Sequence, residues 1–345
     1  MDLADAQALW EPETVYLNTA SYGLPPRPAF EALTAALEDW RHGRTSWEIW
    51  GGSTEAARTA FARLVGAPAE DIAIGTTVSE FTGMIAGSLP DGAHILVPDM
   101  EFTSNLFPYS THSDRGIKVT TVPAAQLPDA IDSSTTAVAF SVVQSSSGEV
   151  AELDAIEKAA AEHDVLTIVD ATQACGWLPL DAPRFDFLVV HAYKWLMSPR
   201  GTAFLYVNPE LREEVRPTGA GWYAGEDVHA SYYGPPLRLA RSARRFDLSP
   251  VWFSWVGTRP SLDVIAAIGV GSIQEHNVRL ANLFRERMQL EPSNSAIVSI
   301  DAVDATEKLE RAGIQAASRA GHLRVSFHVY NDDSDVDALV ETLVN

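Results

Sequence analysis

The sequence predicts an α/β protein: a three-layer α/β/α large domain with a mainly parallel sheet, followed by a small α+β C-terminal domain. Three observations predict it. Between residues 60 and 210, short apolar β-branched runs alternate with amphipathic segments of about ten residues, the rhythm of βαβ units. Within that region, Val165–Val169 ends in Asp170 and Phe185–Val190 leads to Lys194. Buried parallel strands deliver polar groups to the carboxyl edge of a sheet in this way. After Val207 the rhythm stops, and strand and helix patterns alternate again from Ala296 onward. We place the large domain at residues 15–260 and the small one at 261–345, with residues 1–14 packing on the latter.

Composition narrows the partners. A chain of 345 residues that is 46% hydrophobic is long enough to bury two cores. A net charge of −21 repels phosphate backbones and anionic lipid, which argues against nucleic-acid and membrane partners. No apolar run reaches about 18 residues, the length a spanning helix needs. The acidic opening MDLADAQALWEPE lacks a basic-then-apolar signal, so the expected location is cytoplasmic. Cys175 is the only cysteine, which excludes an intramolecular disulfide and a multi-cysteine metal site; no metal is expected.

In chain order, Val15 to Pro28 is turn-rich, and its Asn, Ser, Tyr and Gly either line a site or form a surface loop. Ala29–Arg41 has helical periodicity, residues 42–53 read as irregular, and Thr54–Ala67 is helical. A strand at Asp71–Ile74 is followed by Gly75-Thr76-Thr77 and then a helix. That junction is either a phosphate seat, with free N–H groups at a helix N-terminus, or an ordinary N-cap. Strands follow at His94–Val97, Lys118–Val122 and Thr136–Val143, with a helix from about Ser104, a polar turn at Gln144–Gly148 and a helix at Asp154–His163. Residues 208–260 are rich in Gly, Pro and aromatics, and such long aperiodic stretches serve function or interfaces. Trp222–Trp255 forms either a pocket wall or a dimer seam, with the seam slightly ahead. A long helix is expected at Ser261–Met288. Strands at Ala296–Ile300, Ile314–Ser318 and Leu323–His328 and helices at Ala305–Arg311 and Val336–Leu343 make up the small domain.

The chemistry follows from the lysines. There are four, at 118, 158, 194 and 308. Lys118 lies beside a strand and faces water, while Lys158 and Lys308 occupy polar positions of amphipathic helices. Lys194 alone lies among aromatic and apolar residues just past a strand end. A lysine there, with an acid at the neighbouring strand end, suits a pyridine cofactor held as a Schiff base. Pyridoxal 5′-phosphate requires that lysine, a carboxylate to keep the ring nitrogen protonated, a phosphate cradle, a π-face and an arginine for the substrate carboxylate. Lys194, Asp170, Gly75–Thr77, Phe102 and several arginines can fill these posts. Each also has a plainer use: Asp170 capping a turn, Phe102 in the core, Lys194 reaching to solvent.

Three segments, VDATQA at 169–174, HAYKWLMSPRGTAFLYV at 191–207 and HLRVSFHVYNDDSDVDAL at 322–339, resemble the class V aminotransferase family of fold-type I pyridoxal phosphate enzymes. That group also holds cysteine desulfurases, kynureninases, epimerases of the isopenicillin-N type and C–S lyases. The resemblance runs from about Tyr16 to the C-terminus. It implies that Lys194 carries the cofactor, Asp170 pairs with the pyridine nitrogen and Gln173 contacts the ring hydroxyl. It implies a phosphate site from Thr76, Thr77, the Val78 amide, His191 and Tyr193, with Phe102 stacked on the ring. Ser145 would approach cofactor and substrate carboxylate, and Arg324, with Arg319 second, would bind that carboxylate. Gly257-Thr258 is similar to a loop that reaches the phosphate of a neighbouring subunit, which implies a homodimer with shared sites.

The departures from the family pattern carry information. Phe102 stands where histidine is common, and phenylalanine transfers no proton. Cys175 lies in the turn after Asp170, where a packed small residue is its expected role, so the thiol nucleophile of a desulfurase is missing. What remains is an amino-acid enzyme acting at Cα: aminotransferase first, then β-eliminating C–S lyase on an S-substituted cysteine, then epimerase. A non-catalytic binding protein that keeps the fold is the alternative from another class.

Overall fold

The computed structural model describes residues 1–302 and 305–344. The N-terminal segment contributes β1 (Val15–Tyr16). The large sheet is built from β2 (Ile72–Gly75), β3 (His94–Pro98), β4 (Lys118–Val122), β5 (Ala137–Ser141), β6 (Leu166–Asp170), β7 (Phe187–His191) and β8 (Ala203–Val207). The C-terminal part adds β9 (Ile297–Ile300), β10 (Ile314–Gln315), β11 (Ala317–Arg319) and β12 (His322–Ser326). The seven strands of the large sheet lie in the order β2-β8-β7-β6-β5-β3-β4. Only β8 runs against its neighbours, so the sheet is mainly parallel as the apolar runs imply. β5, β7 and β8 are buried along their whole length, because helices cover both faces. Two large apolar clusters flank the sheet, one holding Phe61, Phe140 and Trp195 and the other Phe81, Tyr109 and Phe246. A third, with Leu17, Phe284, Phe327 and Leu339, forms the core of the C-terminal unit.

Several boundaries differ from the sequence reading. The helix expected at Thr54–Ala67 begins at Trp47 and ends at Leu64. Gly51 and Gly52 weaken local helix propensity, but an ideal Cβ on Gly51 would sit 3.8 Å from Trp47 and 3.9 Å from Trp252, so aromatic packing carries the helix through. The helix expected from Ser104 shrinks to a turn at Thr103–Asn105 and the short helix Phe107–Ser110. The long helix expected at Ser261–Met288 is two helices, Trp252–Ile268 and Val270–Arg287. Gly269 breaks it, with φ of 93°, a conformation that side chains other than hydrogen rarely adopt. The upstream helix runs through Pro260, because its buried face packs on Arg27–Arg41 and Trp47–Leu64. The expected domain boundary at residue 260 therefore falls inside a helix whose Leu262, Val264 and Ile265 belong to the large core.

The strand expected at Ile314–Ser318 is also divided. β10 pairs in parallel with β1, while β11 forms a hairpin with β12. The N-terminal segment thus pairs with the small unit, and the Ser326 N–H donates to the Leu17 carbonyl at 2.9 Å. Among the described residues, no helix is long and apolar enough to cross a membrane.

Candidate active site

β2, β5, β6 and β7 run in the same direction and end, at one edge of the sheet, in Gly75, Ser141, Asp170 and His191. The turn after β7 carries Lys194, and the loop after β3 carries Glu101 and Phe102. A cavity of about 190 Å³ opens there, with Thr77, Phe102, Asp170, His191, Tyr193 and Lys194 in its wall. A larger cleft of about 920 Å³ lies between Pro98–Met100 and the small unit; it holds no lysine, so the chemistry belongs to the smaller cavity.

Lys194 is 7% exposed. Burial pulls its ammonium down to about 8, Asp170 pushes it back up, and Arg324, Arg319 and Arg200 add to the fall. Its Nζ stands 5.5 Å from the centre of the Phe102 ring and 5.6 Å from that of Tyr193. Asp170 is 6% exposed; burial raises its carboxyl, and the Thr172 N–H, donating to Oδ1 at 2.8 Å, works against that. The lysine backbone is held by the N-terminal segment. The Gly23 N–H donates to the Tyr193 carbonyl at 2.9 Å, and a Cβ on Gly23 would lie 2.0 Å from the Lys194 carbonyl oxygen. Val15 to Pro28 is therefore a site segment and not a free surface loop.

At the other end of the cavity, the helix Val78–Ser88 points its N-terminus inward, with Thr77, Val78 and Ser79 in the wall. Thr77 Oγ1 caps the helix, accepting the Glu80 N–H at 3.2 Å. Thr76, expected at the phosphate, is not in the wall. Glu80 Oε2 accepts both its N–H and its hydroxyl at 2.9 Å, completing a reciprocal capping arrangement that leaves Thr76 nothing to offer. His191 is 7% exposed, and burial, then the charges of Arg200 and Lys194, pull its imidazole down to about 3, so it is neutral. Its Nε2 is buried without a partner.

Arg324 is 1% exposed and carries no carboxylate. Its guanidinium donates to the Ser145 carbonyl at 2.6 Å and to Ser21 Oγ at 2.6 Å, and its Nε has no partner. Arg319 reaches the same Ser21 Oγ at 3.1 Å. Two guanidinium groups converging on one serine, with no acid between them, fit an incoming carboxylate. Gln173 is more constrained than expected. Its Nε2 donates to Ala20 O at 3.0 Å and Ser145 Oγ at 3.2 Å, and its Oε1 accepts the Trp195 indole N–H at 2.8 Å.

Gly257 and Thr258 form no loop here. Both lie inside the helix Trp252–Ile268 and are buried in their own chain, with Thr258 Oγ1 donating to the Ser254 carbonyl at 2.8 Å. Thr258 Oγ1 also stands 3.3 Å from Thr202 Oγ1. Cys175 is buried outside the cavity wall, and burial pushes its thiol up, so it supplies no nucleophile. No residue of 40–52 or 218–250 stands in the cavity wall. Trp222 instead packs edge-on against Trp47, 5.3 Å between ring centres.

Sequence reasoning missed Ser79, Ser104, Ser141, Thr172 and Arg200, all of which line the cavity. Ser141 could have been found, since it ends a buried strand as Asp170 does. Glu101, beside Phe102, gave no signal of its own in the sequence. It is 6% exposed and accepts the Phe102 N–H at 2.8 Å and the Ser141 N–H at 2.7 Å, tying the two loops together.

A buried, low-pKa lysine, an acid at the next strand end, an anion seat at a helix N-terminus and an orphaned imidazole nitrogen fit a phosphorylated pyridine aldehyde. Comparison with known proteins agrees. Residues 51–307 match the family model for aminotransferase class-V, and the chain belongs to that family. Its cofactor is pyridoxal 5′-phosphate. An uncharacterized aminotransferase of Bacillus subtilis is 26% identical, covering 95% of this chain and 93% of the relative. Isopenicillin N epimerase of Streptomyces clavuligerus is 28% identical over 99% of this chain and 96% of its own. In structure, a cystine C–S lyase in complex with cysteine persulfide superimposes with a TM-score of 0.87 at 21% identity, covering 96% of this chain and 98% of that one. The latter likeness shows the fold.

Proposed function

We propose that this enzyme is an aminotransferase acting on an amino acid whose carboxylate is held by Arg324 and Arg319. The observation that carries the reading is that Lys194, an amine pulled to about 8, has Phe102, a ring that transfers no proton, on one side and Tyr193 on the other. Bound pyridoxal phosphate supplies the sink for the electron pair left on Cα when its proton is removed. Lys194 Nζ would be the base that takes the substrate's Cα proton and holds it for return, so the reaction asks for no second proton-transferring side chain. Asp170 would keep the ring nitrogen protonated, Thr77, the Val78 amide and His191 would hold the phosphate, and Ser145 orients the Arg324 fork. Phe102 gives the ring a face to stack on and offers no proton of its own. Apolar residues left exposed on the helix Arg27–Arg41, Phe30, Leu37 and Trp40, together with Ile49, supply the seam of a homodimer.

Incubation of the loaded enzyme with a panel of amino acids tests the reading. Pyridoxamine phosphate should accumulate with the matching 2-oxo acid. Pyruvate and a thiol released from S-substituted cysteines would replace it with β-elimination, and inversion at Cα without either product would replace it with epimerisation.

A further inference from the structure

Arg200 stands in the cavity wall and none of the roles above uses it. The chain carries 46 acidic residues against 25 basic ones, and its arginines are generally matched: Arg58 with Asp247, Arg184 with Glu157, Arg259 with Asp263. Among the described residues, the Arg200 guanidinium has neither an ion pair nor a hydrogen bond. It lies over the Tyr193 ring, 4.9 Å from its centre. Its backbone is fixed at both ends, the N–H donating to Tyr22 Oη at 3.2 Å and the carbonyl accepting Ser254 Oγ–H at 2.8 Å. Arg200 is exposed at the cavity wall, and its guanidinium, laid over Tyr193 with no acid on it, is free to take an anionic ligand.

The surroundings say which anion. Tyr193, on which Arg200 lies, is stacked edge-on against His191, 4.3 Å between ring centres. His191 is the residue whose buried Nε2 lacks a partner. Thr77, Val78 and Ser79, at the N-terminus of an eleven-residue helix, share the same cavity. Arg324 and Arg319 are gathered elsewhere, at Ser21. The charge of Arg200 is felt more at His191 than that of Lys194 is. At Lys194, by contrast, Arg324 and Arg319 outweigh it.

We propose that Arg200 is a ligand of the cofactor's phosphate, completing from the same chain the anion seat begun by the helix N-terminus and His191. A phosphate dianion is matched poorly by neutral donors alone, and a guanidinium supplies both charge and a two-pronged donor set. The inference rests on the reading of this cavity as the pyridoxal phosphate site.

Equilibrium binding to the cofactor-stripped full chain tests it, with pyridoxal phosphate and unphosphorylated pyridoxal compared in wild type, Arg200→Gln and Arg200→Lys. Arg200→Gln should weaken pyridoxal phosphate by about 10- to 100-fold, the range for losing a charge-assisted hydrogen bond, and leave pyridoxal unchanged. Arg200→Lys should recover part of the loss. Inorganic phosphate should compete with pyridoxal phosphate on the wild type and compete less on Arg200→Gln. Equal loss of both ligands would overturn the proposal in favour of a role in supporting Tyr193. Unchanged cofactor binding with a raised KM for the amino acid would overturn it in favour of a substrate contact. Unchanged cofactor binding alone also overturns it while leaving the cofactor site intact, whereas a wild-type chain that binds neither form overturns both.

Discussion

Asp247→Asn is a test of how the phosphate seat is held in place. Asp247 is fully buried and accepts two hydrogen bonds from Arg58, Nη2 to Oδ2 at 2.6 Å and Nη1 to Oδ1 at 3.0 Å. Its Oδ1 also accepts the Ile74 N–H at 2.9 Å, and Arg58 Nη1 donates to the Ile72 carbonyl at 2.6 Å. The pair thus clamps β2 one residue before Gly75-Thr76-Thr77. Breaking a buried ion pair by neutralising one partner costs about 3–5 kcal/mol. Glu55 still reaches Arg58 at 2.9 and 3.0 Å, which places the loss near the lower end, about 3 kcal/mol. With an unfolding entropy of about 0.7 kcal/mol per degree for a chain of this length, Tm should fall by about 4 °C. Thermal unfolding of the cofactor-stripped protein measures this, and a titration should show weaker pyridoxal phosphate binding in parallel. Stability within about 1 kcal/mol of wild type with unchanged cofactor affinity would refute the clamp.

Three more expectations follow from the geometry. Because burial pulls Lys194 down to about 8, half of its amine is neutral there, and the neutral fraction climbs through that pH and levels off above about pH 9. The rate of pyridoxal phosphate uptake by stripped protein should follow that curve, and a rise continuing to the ordinary lysine value of 10.5 would contradict it. Gly23→Ala places a methyl against the Lys194 carbonyl, so it should destabilise the fold by about 1–3 kcal/mol and impair cofactor attachment, read by unfolding and by absorbance. Cys175 should resist thiol reagents in the folded protein and react on denaturation, and Cys175→Ala should retain turnover; rapid native labelling would place the thiol at the surface.

Asp170 and Lys194 were legible because their signal is local: a buried run ending in a charged residue is read directly along the chain. Arg324 was legible only through resemblance, since its partners Ser21 and Ser145 are brought together by the fold. Thr76 stands outside the cavity wall, where Glu80, four residues on, takes both of its donors, a contact the sequence did not signal. Gly257 and Thr258 were read as a loop from resemblance alone, yet they lie in a helix that packs against two neighbouring helices, which outweighs the local cost of glycine and Pro260. The pairing of β1 with β10 spans nearly the whole chain and leaves no trace in either segment alone. Arg200 gave no signal among many arginines; what distinguishes it is its place in the cavity wall, which is a property of three dimensions.

The central claim is that Lys194 is the amine that carries the cofactor, with Asp170 beside it. Borohydride reduction of the wild-type protein loaded with pyridoxal phosphate, followed by peptide mass mapping, tests it most directly. The account predicts one modified peptide, containing Lys194; in Lys194→Ala that peptide stays unmodified, and the yellow cofactor band is lost and not restored by added cofactor. A label on Lys118, Lys158 or Lys308, or an unaltered yellow band in Lys194→Ala, would contradict it.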